Sequence, residues 1–258
     1  RVLVGQFGGA AGTLASLGSD GLAVRAALMR ELDLGEPDIT WHVARDNLAE
    51  AVLYTGLLSG SLAKIAGDVM LMMSTEFGEV FEPFEHGRGA SSTMPQKRNP
   101  ISSELIMACA KLVRQHCALM LDATVQDFER ATGPWHAEWI ALPESYIATA
   151  GALRQARLML AGLSVDAKRM QRNLELSSGL IVTEAVMMGL APKLGRQLAH
   201  DVVYDACRAA AESGRPLLEL LCADTQISPH MGRAELERLL DPRNYLGSAG
   251  AMVDRSLA

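Results

Sequence analysis

Apolar residues along this chain fall into runs with helical rather than strand spacing. Leu3 to Leu17 and Leu22 to Leu32 read as helices, split by Gly18-Ser19-Asp20-Gly21. Gly35-Glu36-Pro37-Asp38 is a break, and the strongest periodic segment follows from Trp41 to Met73. There Leu48, Val52, Thr55, Ser59, Leu62, Ala66, Val69 and Met73 step by alternating threes and fours, a seam with coiled-coil spacing. Leu53, Leu57, Leu58 and Ile65 occupy the other faces, and a helix apolar on most sides must be buried on most sides. Some thirty residues make about 45 Å of helix at about 1.5 Å each. One chain of this size does not cover so long an apolar rod. The pattern therefore predicts an oligomeric bundle whose subunits share a core.

From Ser74 to Asn99 the periodicity stops, with Gly78, Pro83, Gly87, Gly89 and Pro95 as punctuation. Loops this long within a compact domain are usually lids or binding loops. Helix resumes after Asn99-Pro100 and runs to about Thr124. Asp127 to Pro134 interrupts it, and another helix runs from about Glu138 to Gly162. After Ser164 the segments shorten to Asp166–Asn173, Ile181–Lys193, Gly195–Ser213, Pro216–Ala223, Gly232–Leu240 and Ser248–Leu257. No alternating strand runs or internal repeats stand out. The reading is an all-α chain: a central long-helix bundle over residues 1–163 with a lid loop at 75–99, then a small helical domain over 164–258.

Composition agrees with helices. The 258 residues are 49% hydrophobic but only 5% aromatic, a mix rich in unbranched side chains that lose little freedom in a helix. The net charge of −6 and the lack of any Lys/Arg run exclude an ordinary nucleic-acid binder. Cys109, Cys117, Cys207 and Cys222 form no C-x-x-C pair, and no H-x-x-x-H occurs, which argues against zinc. Those thiols suit the cytoplasm better than a disulfide framework. Two segments imitate membrane elements. Val2 to Leu17 is broken by glycines. Ala51 to Met73 contains Gly56-x-x-x-Gly60 but also Lys64 and Asp68, each costing ~2.5–3.5 kcal/mol at a bilayer centre. A buried bundle helix is the better reading of the second.

The candidate chemistry lies in Gly87-Arg88-Gly89-Ala90-Ser91-Ser92-Thr93-Met94-Pro95-Gln96-Lys97-Arg98-Asn99-Pro100. Two glycines supply a hinge, three hydroxyls ride on the loop, and Lys97, Arg98 and Asn99 stand where a helix begins and anions are attracted. A loop that closes a hydroxyl base and cationic donors over a carboxylate suits proton abstraction alpha to that carboxylate. A solvated glycine-rich surface loop would share this composition.

Ser91-Ser92-Thr93-Met94-Pro95-Gln96-Lys97-Arg98-Asn99-Pro100 resembles the fumarase/aspartase superfamily signature S-S-x-M-P-x-K-x-N-P, departing from the family pattern at Ala90, where a second glycine is usual. The resemblance implies that Ser91 is the base removing a proton next to a carboxylate. It implies that Lys97 and Asn99 hold that carboxylate and its aci-carboxylate form. Ser92, Thr93 and Met94 then line the substrate beside them. It further implies that Glu104 supports a histidine from an earlier segment, although an acidic residue in a helix's first turn also serves the helix dipole.

Trp41-His42-x-x-Arg45-Asp46 and Glu129-Arg130 resemble the branch containing adenylosuccinate lyase and 3-carboxy-cis,cis-muconate cycloisomerase. Gly133-Pro134-Trp135-His136-Ala137-Glu138-Trp139 resembles the cycloisomerase side, and Leu240-Asp241-Pro242 through Tyr245-Leu246-Gly247 resembles that branch's C-terminal end. Arg130 is a candidate carboxylate ligand through its guanidinium fork, or a surface ion-pair partner of Glu129 or Asp127. His136 is a candidate substrate contact, or a packed helix-start residue. Trp41 and His42 read as structural.

The implied activity is cycloisomerisation of 3-carboxy-cis,cis-muconate to a carboxymuconolactone within aromatic catabolism, the β-ketoadipate pathway. Fumarate release by C–N cleavage is the alternative, and a structural helical scaffold is a third. The resemblance implies no cofactor, a small polycarboxylate substrate, and a homotetramer with active sites shared between subunits. Relatives carry a further N-terminal region, so the chain reads as truncated, with its acid group and part of its site lying elsewhere.

Overall fold

The computed structural model describes residues 2–84, 89, 91, 93–94, 96–129 and 133–258. It divides into two compact units, Arg1–Val165 and Asp166–Ala258.

The first unit opens without the helix expected from Leu3 to Leu17. Val4 instead bridges Gly35 in parallel. Gly5 N–H donates to the Gly35 carbonyl at 2.9 Å, and Gly35 N–H to Leu3 at 2.8 Å. The glycines explain the difference. A Cβ on Gly5 would stand 1.8 Å from Met29 Sδ, while Gly9 and Gly12 sit at φ of 70° and 82°, where an L side chain is strained. A 3₁₀ turn at Ala15–Asp20 then leads into α1 (Gly21–Glu31).

The long helix α2 spans Asp46–Met73, starting later than the periodicity from Trp41 implied. Trp41 is taken up by the N-terminal segment, its indole N–H donating to the Gly5 carbonyl at 2.7 Å. Ala49, Val52, Thr55, Ser59, Ala66 and Val69 form the buried stripe of α2, largely the expected seam. By length and apolar composition α2 would suffice to cross a membrane. It packs instead along α3 (Ile101–Asp122) and α4 (Pro134–Ala161), with Lys64 and Asp68 paired one turn apart in solvent.

Small residues set the closeness of α3 and α4. Ser102, Ser103 and Ala110 on one helix and Ala141, Ser145, Ala148, Ala152 and Ala156 on the other are buried. Short side chains let two helix axes approach without voids. A two-residue pairing, β1 (Val80–Phe81) antiparallel to β2 (Ser164–Val165), joins the start of the lid loop to the exit of α4. Two residues are too few for any alternation to register in sequence.

The second unit holds α5 (Ala167–Glu175), α6 (Thr183–Leu194), α7 (Arg196–Ser213), α8 (Leu217–Ala223), α9 (Arg233–Leu239) and α10 (Ala249–Leu257). Its core gathers Val186, Leu190, Val202, Leu221, Ile227 and Leu236. Gly195 and Gly214, both at positive φ, bracket α7. All four cysteines are free and partly buried. Burial pushes the Cys117 and Cys207 thiols up, so both are ordinary packing thiols.

Candidate active site

Ser91 Oγ sits on a short turn. It accepts the backbone N–H of Met94 at 3.0 Å and of Thr93 at 3.3 Å, and Thr93 Oγ1 lies 3.3 Å away. Two amide donors aimed at one oxygen favour negative charge on it, which is what a serine base requires. Ser92 lies outside the described residues, as does Arg130. Gly89 takes φ of 68°, and a Cβ there would stand 3.0 Å from Ile101 Cγ1 and 3.1 Å from the Asn99 carbonyl. Its glycine character therefore serves close approach as well as flexibility.

Asn99 closes the segment. Its side-chain amide donates to the Gly89 carbonyl at 2.8 Å, drawing the end of the signature to the glycine that precedes it. Lys97 is exposed, its N–H bonded to the Met94 carbonyl at 3.0 Å, and no carboxylate pairs with its ammonium among the described residues. Met94, Lys97 and Asn99 line an open cavity of about 840 Å³, together with Met70, Met73 and Phe81. Ser91 is not among the residues lining it. Arg98, grouped in the sequence reading with Lys97 and Asn99 at the anion-attracting helix start, instead lies over two rings, 5.8 Å from the Phe81 centroid and 5.4 Å from Phe84. Among the described residues, Lys97 is thereby left as the signature cation free to meet an anion.

The anion site expected at the start of α3 is already filled. Glu82 is buried, and its carboxylate accepts Ser102 N–H at 2.9 Å, Ser103 N–H at 2.8 Å and Ser103 Oγ at 2.7 Å. The helix amides are spent on the protein's own carboxylate, so side chains must hold any substrate carboxylate. Glu104 is exposed on the first turn of α3 and meets no histidine among the described residues.

His136 belongs to a different assembly. Trp135 packs against His42 at 5.1 Å and Trp139 at 5.1 Å, and His136 faces Trp139 at 4.9 Å. Beneath these rings Arg45 Nε reaches Glu138 Oε1 at 2.7 Å and Arg45 Nη2 reaches Oε2 at 2.5 Å, both side chains buried. The two stretches that marked the branch, Trp41 to Asp46 and Gly133 to Trp139, thus meet at one bidentate ion pair. The Gln126 amide also donates to Glu138 Oε1 at 3.3 Å, tying in the connection between α3 and α4. Glu138 sat inside a quoted motif, yet nothing along the sequence pointed from it to Arg45. Glu82 carried no signal beyond being an acidic residue at the edge of the lid loop.

A family model described as Lyase matches residues 1–114, and one described as Adenylosuccinate lyase C-terminus matches residues 179–256. A 3-carboxy-cis,cis-muconate cycloisomerase of Pseudomonas aeruginosa is 50% identical over 258 residues, 100% of this chain and 56% of its own length. The chain belongs to the fumarase/aspartase superfamily. A trans-aconitate decarboxylase of Mycosarcoma maydis is 52% identical, again over 100% of this chain and 52% of its own length. The crystal structure of a fumarate lyase from Mesorhizobium sp. BNC1 superposes with a TM-score of 0.91 at 54% identity, covering 99% of this chain and 57% of that one. The chain thus spans somewhat over half the length of the fumarase/aspartase superfamily proteins it matches. The all-α fold is that of the superfamily, and the Ser91 turn, the Lys97 cavity and the Asn99 closure all fall on its signature.

Proposed function

We propose that the protein is a cycloisomerase that interconverts 3-carboxy-cis,cis-muconate and a carboxymuconolactone. The observation that carries the reading is Ser91 Oγ held by two backbone N–H groups, on a segment whose Lys97 and Asn99 open onto a cavity large enough for a tricarboxylate. In the lactone-forming direction one carboxylate oxygen adds across a double bond, leaving an aci-carboxylate that is then protonated. In reverse, Ser91 takes the proton alpha to that carboxylate. Lys97 and Asn99 meet its growing charge, with Ser92, Thr93, Met94, Arg130 and His136 as further substrate contacts and Glu104 as support for the acid group. The chemistry draws on acid, base and charge stabilisation, and we assign no cofactor.

We place the enzyme in the cytoplasm as a homotetramer with shared sites. The exposed Tyr54, Leu57 and Ile147 faces of the long helices support the assembly, and free thiols support the compartment. A second reading, decarboxylation of trans-aconitate, is favoured by the Mycosarcoma maydis relative. A third, release of fumarate by C–N cleavage, is favoured by the adenylosuccinate lyase C-terminal model.

The test is an ultraviolet assay of the full-length protein and its Ser91→Ala variant against 3-carboxy-cis,cis-muconate, trans-aconitate and adenylosuccinate. Loss of muconate absorbance, reduced at least about a thousandfold by the substitution, is expected; about 4 kcal/mol of transition-state stabilisation would then be gone. Turnover of another substrate alone would move the assignment to that chemistry. Undiminished turnover by Ser91→Ala would remove Ser91 as the base.

A further inference from the structure

The first turn of α3 needs acceptors for its leading N–H groups, and its N-cap, Pro100, has no side chain that can supply one. A Ser, Thr or Asp at that cap would do so locally. The chain instead uses Glu82, twenty residues earlier in sequence, with two backbone N–H groups and one hydroxyl converging on its buried carboxylate. A cap drawn from so far away does more than satisfy amides, because it also fixes the two ends of the loop to each other.

The surroundings of Glu82 are built to keep it still. Phe81, its neighbour, is paired with Ser164 in the β1–β2 ladder. Phe81 and Phe84 receive the Arg98 guanidinium from the far end of the loop. Lys97 lies next to Arg98, and Asn99 lies between Arg98 and the Ser102–Ser103 amides that Glu82 holds. Both residues are therefore bracketed by fixed points.

We propose that Glu82 is a positioning residue for Lys97 and Asn99. It holds the base of the signature loop against α3, and it fills the helix's anion site so that a substrate carboxylate is directed to those two side chains. The proposal rests on the proposed function only for its kinetic readout.

The experiment compares full-length wild type, Glu82→Gln and Glu82→Ala, each in sodium formate and in sodium chloride of equal ionic strength. Formate carries the one group that Glu82→Ala removes. Hydrogen exchange of peptides spanning residues 97–104 should quicken at least about tenfold in Glu82→Ala and recover in formate, with peptides of α7 unchanged. At temperatures where the variant stays folded, kcat/KM should fall about tenfold to a hundredfold, chiefly through KM, and formate should restore it. Glu82→Gln, which keeps the volume and one acceptor and so leaves no room for formate, should lie between, and its exchange and kcat/KM alone decide the proposal if Glu82→Ala does not fold.

Unchanged exchange would overturn the pin. Quickened exchange with wild-type kinetics would reduce Glu82 to a plain cap. If the wild type turns over none of the three substrates, the functional reading fails on its own. Calorimetric binding of tricarballylate then decides this proposal: an affinity loss of about tenfold in Glu82→Ala that formate reverses supports it, and equal affinity overturns it.

Discussion

The two units solve the burial problem differently. In residues 166–258 short helices turn back on one another. Val186, Leu190, Leu221, Ile227 and Leu236 reach 0% exposure within the one chain. In the bundle, α2 buries its seam yet leaves Tyr54 66% and Leu57 73% exposed, and α4 leaves Trp139 60% and Ile147 72% exposed. The contrast comes from the pattern of each helix. Helix α7 has one apolar stripe, Ala199, Val202, Val203, Ala206 and Ala210, and that stripe is fully used. Helix α2 has apolar residues on several sides, and α3 and α4 cover only one of them. A stripe of the first kind is satisfied by its own chain, and faces of the second kind are those the proposed tetramer would cover.

The sharpest break of that comparison is a charge on the uncovered faces. Leu57→Glu combined with Ile147→Glu should dissociate the proposed tetramer to monomers and abolish turnover, because the proposed shared site would then never be assembled. The unfolding transition of the C-terminal unit should stay where it was. Sedimentation velocity with a parallel activity assay reads this. A double variant that sediments with the wild type and retains its turnover would mean that the exposed faces are not the interface.

A smaller effect separates charges inside the bundle from charges on the C-terminal unit. Glu138 and the Arg45 guanidinium are both buried and joined by two short hydrogen bonds. Removing one partner strands the other's charge away from water. Glu138→Ala should therefore cost about 3–5 kcal/mol of stability. Replacing both, Arg45→Met with Glu138→Leu, should cost far less, because no unpaired charge remains. Urea unfolding of the two variants checks this. Equal losses in both would show that packing, and not charge pairing, holds that end of the bundle together.

Legibility followed the same division. The seam of α2 could be read from spacing because coiled-coil periodicity is local and repeated, and the signature from Ser91 to Pro100 could be read because its residues are contiguous. The N-terminal helix was misread. Leu3 to Leu17 is apolar enough for a helix, but the tertiary demand at Gly5, where Met29 leaves no room for a Cβ, and the positive φ of Gly9 and Gly12 override that pattern. What escaped altogether was long-range. Arg45 and Glu138 are 93 positions apart, and Glu82 serves amides 20 and 21 positions further on. A single carboxylate in sequence does not reveal which distant donors it will meet, whereas a periodic stripe reveals which face will be covered. The candidate site was therefore half visible: its candidate reactive groups lie on a contiguous motif, and the residues that hold that motif in place, Glu82 above all, do not.

The smallest effect belongs to the C-terminal unit's surface, where ion pairs stand in water. The Arg233 side chain donates to Glu219 at 2.7 Å and to Glu237 at 3.1 Å. The hydrogen bond and charge of Arg233 hold the Glu219 carboxyl below the usual carboxylate range, and Glu219 in turn raises Arg233, which stays charged throughout. A carboxyl whose folded-state pKa is depressed contributes stability that is present above its unfolded pKa. That contribution is lost as the pH falls through the carboxylate range. Wild type should therefore melt slightly above Glu219→Gln at neutral pH, and the gap should close on acidification. It should also close in about 1 M salt, where screening shortens to about 3 Å. Melting curves of both proteins over that range, with and without salt, give the measurement. A gap that persists in salt, as the buried Arg45–Glu138 pair should show, would mean that the surface pair is shielded from solvent and that the two units do not differ in how they hold charge.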